Sequence, residues 1–297
     1  MELNPGHTFL YGAQFFAALC MAFLFWRIRQ GASPNVSIGA RWIWWSLVAL
    51  TSASVALAFD YKGHPLWVIS SVTLLGWFLL ESIYTWLVVS TISQSDLPLF
   101  PRFSENTAGA EWPSDEPYIR LRDWLRKNGF TQTQSLIAKH HDEISIRLVV
   151  FDRSDHLVRA AFLFFPHRQG VGAYAATFQS VTETEERLIT DNFFLPYGGF
   201  YPEGWQIERR PRTRSIERLY NRHLARCDAL DLPLSENEAE PLEDLNRSNR
   251  TIEQLNRELG FLSTLSEDDL HRISTAGRAR IWKEIWTLAY FGISRKY

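Results

Sequence analysis

The sequence predicts a membrane α-helical bundle of three transmembrane helices, followed by a soluble α+β domain with an antiparallel β-meander and a helical C-terminal tail. Three observations predict it. Residues 1–100 contain three long apolar runs and only Arg27, Arg29, Arg41 and Lys62 as basic side chains. Residues 133–190 are punctuated into short segments that alternate apolar and polar positions, the period of half-buried strands. Beyond residue 213 the apolar positions recur at helical spacing.

The apolar runs extend over about 8–26, 42–59 and 66–90, the last fading out near Ser93. Each suffices to cross ~30 Å of hydrocarbon at about 1.5 Å per residue. The first lacks a basic leader and runs straight into Trp26-Arg27-Ile28-Arg29 without a small-residue cleavage site, so it reads as a retained helix. The loop after it carries Arg27, Arg29 and Arg41 and no acid, whereas the next carries Lys62 offset by Asp60. The excess of positive charge belongs on the cytoplasmic side. The expected topology is an N-terminus outside, a C-terminal domain in the cytoplasm, and a plasma or inner membrane between them. Trp26, Trp42, Trp44, Trp45, Tyr84 and Trp86 then fall near the inner interface, and Tyr61 and Trp67 near the outer one.

Two polar side chains interrupt the runs, Gln14 and Glu81. An intramembrane carboxylate is a functional candidate by default. A span of 66–86 puts Glu81 within a turn or two of the inner interface, where headgroups solvate it; a helix-packing hydrogen bond and an ion site are the alternatives. Ala49, Ser52, Ala53 and Ala56 give small-residue spacing for close helix approach.

Residues 94–116, with Pro98, Pro101 and Pro113, read as a linker. The cytoplasmic α+β domain is expected over 117–231. A helix starts near Glu116, capped by Ser114 or Asp115, and stops at Asn128-Gly129. Strands follow at 133–138, 144–151, 156–165, 173–181 and 187–190, giving a meander with helices on one face. A helix from Thr213 to about Leu230 carries the stripe Ile216, Leu219, Tyr220, His223, Leu224, Cys227 and Leu230. His223 on that stripe reads as a core histidine satisfied by hydrogen bonds. The tail, 232–297, repeats Leu245, Ile252 and Leu259 every seven residues, which fits a short coiled coil or a helix lying on the domain. Ser266 and Asp269 resemble a capping box. The terminus from Arg278 is basic, aromatic and amphipathic, suited to a membrane interface or to its own domain.

Chemistry-bearing motifs are sparse. The sequence holds no phosphate-binding glycine loop, nucleophile elbow, zinc-protease helix or paired CxxC. His140-His141-Asp142-Glu143 reads as a solvated turn rather than a metal site, because neighbours in a turn point apart. No cofactor is implied. The two cysteines, Cys20 and Cys227, read as buried thiols. A net charge of -2 gives no case for nucleic-acid binding. The most distinctive stretch, Thr190 to Trp205, packs aromatics among glycines and prolines; Asp191, Asn192, Tyr197, Tyr201 and Trp205 are its candidate ligand or partner contacts. Arg209, Arg210, Arg212 and Arg214 follow as a basic cluster for anionic lipid or an acidic partner. The expectation is a membrane-anchored interaction or sensing module, with the bilayer and a protein partner or a second copy as its partners. An enzyme with a site of scattered residues and a subunit of an oligomeric channel are the rivals.

Overall fold

The computed structural model describes residues 5–29, 34–94, 99–107, 112–140, 144–167, 170–193, 197–230, 233–237, 239–263, 273–294 and 296–297. The turn at 141–143 and the capping-box pair Ser266 and Asp269 lie outside the described residues. The chain forms two compact units. One comprises residues 1–92 with 285–293, the other 93–284 with 294–297.

The first unit is helical: α1 (Pro5–Arg29), α2 (Pro34–Ala58) and α3 (Leu66–Ser93). At about 1.5 Å per residue, α3 alone is ~42 Å long, more than a hydrocarbon core. Three helices form where three spans are expected, but two of them, at Leu10–Arg27 and Leu66–Ser93, are long and apolar enough to cross a membrane. In α2 the same length is diluted by Asn35, Arg41, Ser46, Thr51, Ser52 and Ser54. Some of these polar groups have internal partners. Ser46 donates to the Trp42 carbonyl at 3.1 Å and Ser54 to the Leu50 carbonyl at 2.9 Å. Ala53 and Ala56 are buried, as small residues at a close helix contact should be.

The second unit is α+β, built on an eight-stranded, mostly antiparallel sheet. Its strands are β1 (Ser104–Glu105), β2 (Phe130–His140), β3 (Ile144–Arg153), β4 (Arg159–His167), β5 (Gly170–Thr182), β6 (Arg187–Asp191), β7 (Trp205–Arg209) and β8 (Leu234–Ser235). Its helices are α4 (Glu116–Lys127), α5 (Ile216–Asp228), α6 (Pro241–Glu258) and α7 (Thr275–Trp286), the last running on past the unit's edge into a π-helical turn, Thr287–Phe291. β1 to β7 follow one another in chain order across the sheet, and β8 pairs with the end of β5.

Local signals fix most of these elements. Asp115 stands at the N-cap position of α4 without a side-chain hydrogen bond, Pro117 sits in the first turn, and Gly129 at φ +77° ends the helix. Ser215 caps α5, its hydroxyl accepting from the Arg218 amide. Three features differ from the sequence expectation. First, the sheet is covered on both faces rather than one. Val149, Phe151, Phe162 and Phe178 pack under α4 and α5 through Leu121, Leu125, Leu219 and Tyr220. Leu148 and Val150, on the opposite face, pack with Leu136, Phe103 and the α6 residues Leu242 and Leu245. The unbroken apolar run Leu148-Val149-Val150-Phe151 is the sequence signature of such a doubly covered strand. Second, the segment expected to be a linker contributes β1 and the buried Phe100 and Phe103. Third, β7 is a strand the alternation reading left inside a loop, and it runs parallel to β6.

Two of the three heptad-like residues pack within their own unit: Leu245 lies against the sheet core and Ile252 in a separate cluster with Phe100, Phe261 and Leu262, while Leu259 at the end of α6 is exposed. Between them, asparagines bind backbone. Asn246 donates to the Phe103 carbonyl and accepts from its amide, both at 2.9 Å. Asn256 does the same to Phe200 at 2.8 Å, and Asn249 donates to the Pro101 carbonyl at 2.8 Å. An asparagine amide reproduces the donor–acceptor pair of a strand edge, so α6 holds two loops as a neighbouring strand would. Buried ion pairs add to the attachment: Asp244 of α6 meets Arg187 of β6, and Arg159 of β4 meets Asp152 of β3 at 2.8 Å.

Candidate functional site

The aromatic stretch singled out in the sequence is the crossover that the parallel pair β6–β7 requires. Parallel neighbours cannot be joined by a tight hairpin and need a connection of about a dozen residues or more. The register of that pair sets Asp191 opposite Arg209 and Arg187 opposite Trp205. Both juxtapositions are used. The Asp191 carboxylate accepts from Arg209 Nε at 2.9 Å and from the Phe193 amide at 3.0 Å. The Arg187 guanidinium lies 4.9 Å from the centre of the Trp205 ring.

Around the Asp191–Arg209 pair the side chains close in. Arg209 Nη2 donates to the Tyr201 hydroxyl at 3.2 Å, and the guanidinium sits 5.3 Å from the centre of Phe193. Tyr201 packs edge-on to Tyr297 with centroids 5.0 Å apart, and Tyr197 lies 5.1 Å from Tyr201. The Tyr297 hydroxyl donates to Glu284 at 2.7 Å, and the Gly198 amide donates to the same carboxylate at 3.2 Å. Burial pushes the Tyr197, Tyr201 and Tyr297 phenols up from the usual range. Burial works against the Arg209 charge, but Asp191 outweighs it and holds the guanidinium firmly protonated.

Asn192 is fixed at both ends, accepting from the Ala176 amide at 2.7 Å and donating to the Thr213 carbonyl at 3.2 Å. His223 is fully buried between two hydroxyls, Ser180 at 3.1 Å and Thr190 at 3.0 Å. Ser180 gives its hydrogen to the Leu157 carbonyl, so its oxygen accepts from Nε2–H and Thr190 donates to Nδ1. That arrangement suits the neutral ring. Burial, then the charges of Arg226 and Arg153, hold its pKa down at about 3. Cys227 lies beside it, its thiol donating to Ser180 Oγ over 3.7 Å.

The basic cluster divides. Arg209 is turned into the protein with Asp191. Arg210 pairs with Glu208 of β7, which also receives Arg222 at 2.9 Å and Arg226 at 3.4 Å. Burial alone would raise the Glu208 pKa, but the hydrogen bonds from Arg222 and Arg210 and their charges hold it near about 2. Arg212 is half-buried and Arg214 is exposed. Arg222 and Arg226, on α5, belong to this cluster and escaped sequence reading because their partner Glu208 lies on the unrecognised strand.

In the first unit, Gln14 joins two helices. It donates to Thr51 Oγ1 at 3.1 Å and accepts from Ser54 Oγ at 2.7 Å. Glu81 is half-buried on α3, and no hydrogen bond or ion pair links it to another described residue. An open, mostly apolar pocket of about 460 Å3 lies at the α2–α3 hairpin, lined by residues that include Val55, Ala56, Val68, Val72, Tyr61 and His64. Among the described residues no group of three or more His, Cys, Asp or Glu side chains is placed to hold a metal ion.

The polar side chains on which the rival enzyme reading would draw are drawn into the packing of the second unit. Asp191, Asn192 and His223 each have their hydrogen-bonding capacity used by neighbours, and they serve the β6–β7–α5 framework. Comparison with protein-family models, with curated proteins and with solved structures finds no match to this chain.

Proposed function

We propose that this protein is a membrane-anchored interaction module, its helical unit embedded in the bilayer as a three-helix bundle and its α+β unit presented to the cytoplasm for a protein partner. One observation carries the anchoring. All but three of the exposed large hydrophobic side chains among the described residues belong to the first unit, the exceptions being Leu99, Ile119 and Leu259. Phe15, Phe16, Phe23, Leu75, Leu79 and Leu87 are each more than half exposed. A surface of this kind is far beyond what a soluble protein leaves open to water. The helices meet the other requirement of hydrocarbon, since their backbone groups are satisfied within each helix.

The bundle reading includes α2 because its polar groups have partners within the helical unit: Thr51 and Ser54 on Gln14, Ser46 and Ser52 on backbone carbonyls. A polar group with an internal partner costs little in lipid. Arg27 and Arg29 at the end of α1 and Arg41 in the first turns of α2 support the cytoplasmic assignment for that junction and so for the α+β unit. The interaction role follows from the fate of Asp191, Asn192 and His223, whose hydrogen bonds hold the framework together. At the surface, Gln206 on β7 and Arg214 and Arg218 at the entrance to α5 are exposed. The two arginines suit an acidic partner surface.

The test is site-specific photo-crosslinking in native membranes from positions 206, 214 and 218. A discrete adduct from at least one of them supports the module; no adduct from any of the three contradicts it.

A further inference from the structure

The last residues of the chain do not all stay with the sheet. Residues 285–293 group with α1–α3, while α7 up to Glu284 and residues 294–297 group with the α+β unit. The excursion has its own backbone geometry. α7 widens into the π-helical turn Thr287–Phe291 and stops at Gly292, whose φ of +68° is a left-handed conformation natural to glycine. Two amide bonds close the turn, Gly292 to the Leu288 carbonyl at 3.2 Å and Ile293 to the Thr287 carbonyl at 3.3 Å.

This turn is joined to α2 by the residues that favour a membrane–water boundary. Trp42 Nε1 donates to the Tyr290 carbonyl at 3.0 Å, and Trp45 Nε1 donates to the Tyr290 hydroxyl at 3.2 Å. The Arg41 guanidinium lies 5.5 Å from the centre of the Tyr290 ring. Trp286 stacks on Tyr290 with centroids 4.4 Å apart and meets Phe78 of α3 at 5.2 Å. Tyr290 is thereby buried. The two apolar side chains that follow it are not: Phe291 is 62 % exposed and Ile293 63 %. Indole and phenol groups anchored by hydrogen bonds, a cation over an aromatic ring and two outward apolar side chains are the composition of an element lying at the level of lipid headgroups.

We infer that Trp286–Ile293 is a lipid-contacting element, a membrane-inserted turn at the leaflet reached by the N-terminal half of α2, with Phe291 and Ile293 in the acyl region. The occupant of this apolar surface is the bilayer. The exposed side chains are continuous with the lipid-facing surface proposed for α1–α3, and Tyr290 is already clamped to α2 by two indoles and a guanidinium. The inference rests on the membrane reading above and extends it to a segment remote in sequence from the spans.

The test uses the full chain in liposomes, with Cys20→Ala and Cys227→Ala as background. An environment-sensitive fluorophore is placed at Phe291→Cys or, independently, at Ile293→Cys. Leu79→Cys on α3 serves as the bilayer reference and Leu259→Cys in the α+β unit as the aqueous one. The expected result is emission shifted toward that of the Leu79 label, with quenching by nitroxide-labelled lipid about two-fold or more stronger than at Leu259. Quenching by aqueous iodide at both 291 and 293, with Leu79 still protected, overturns the inference and leaves the anchor intact. Protection from both quenchers at 291 and 293 also overturns it, since the surface is then covered by protein. An iodide-accessible Leu79 label brings down the membrane reading and the inference together.

Discussion

His223 shows how a side chain often suspected of catalysis acts structurally. Fully buried between Ser180 and Thr190, it is held neutral, with its pKa pushed down to about 3 by burial and by the Arg226 and Arg153 charges. The unfolded chain takes up the proton near pH 6.5, so between roughly pH 6.5 and 3 the unfolded state binds more protons. Stability is therefore complete above about pH 6.5 and declines as the pH falls toward 3, by up to about 1.4 kcal/mol per pH unit for this one group. Thermal unfolding of the detergent-solubilised protein between pH 7 and 4 checks this. Substitution His223→Gln should flatten the acid dependence even where it lowers the midpoint at pH 7; an unchanged slope contradicts the assignment. The stripe in α5 marked His223 as a core residue from the sequence alone, because its neighbours at helical spacing are apolar. Its two hydroxyl partners come from β5 and β6 and were not legible there.

At the scale of elements, α6 and the β6–β7 crossover explain each other. The crossover carries the aromatics, and Asn256 of α6 fixes its centre by binding both backbone groups of Phe200. Replacing Asn256 by Ala leaves a backbone amide and carbonyl without partners, each costing about 1–3 kcal/mol when buried. Asn256→Ala should therefore lower stability by about 2–5 kcal/mol. Asn256→Asp, which sets a buried carboxylate oxygen against the Phe200 and Ile252 carbonyls, should lower stability at least as much. Denaturant unfolding checks this, and a loss below about 0.5 kcal/mol for Asn256→Ala contradicts the clamp. Sequence reading found both elements but not their relation. The heptad-like repeat in α6 was legible, whereas nothing in it announced that Asn246, Asn249 and Asn256 bind the backbone of two loops. Likewise β7 alternates Trp205 and Ile207 with Gln206 and Glu208, a strand pattern hidden because it adjoins a loop dense in glycine and proline. The Asp191–Arg209 pair depends on the parallel register of two strands separated by that loop, and no local pattern announces such pairing.

For the whole molecule, the division into an apolar helical unit and a charge-rich α+β unit was plain from composition, and the strands of the meander from alternation. Two things were not. The covering of both sheet faces depends on where α6 and the segment around Phe103 come to rest, which only tertiary packing decides. The return of residues 285–293 to the helical unit was equally hidden, because an amphipathic terminus fits a membrane and a protein surface alike. The anchor is the property on which the proposed role depends. Its most direct measurement is alkaline carbonate extraction of native membranes containing the full chain. Spans held by continuous apolar helices resist a wash that strips charge-held proteins, so the chain should remain in the membrane pellet and leave it only with detergent. Release into the supernatant by carbonate alone would contradict the central claim.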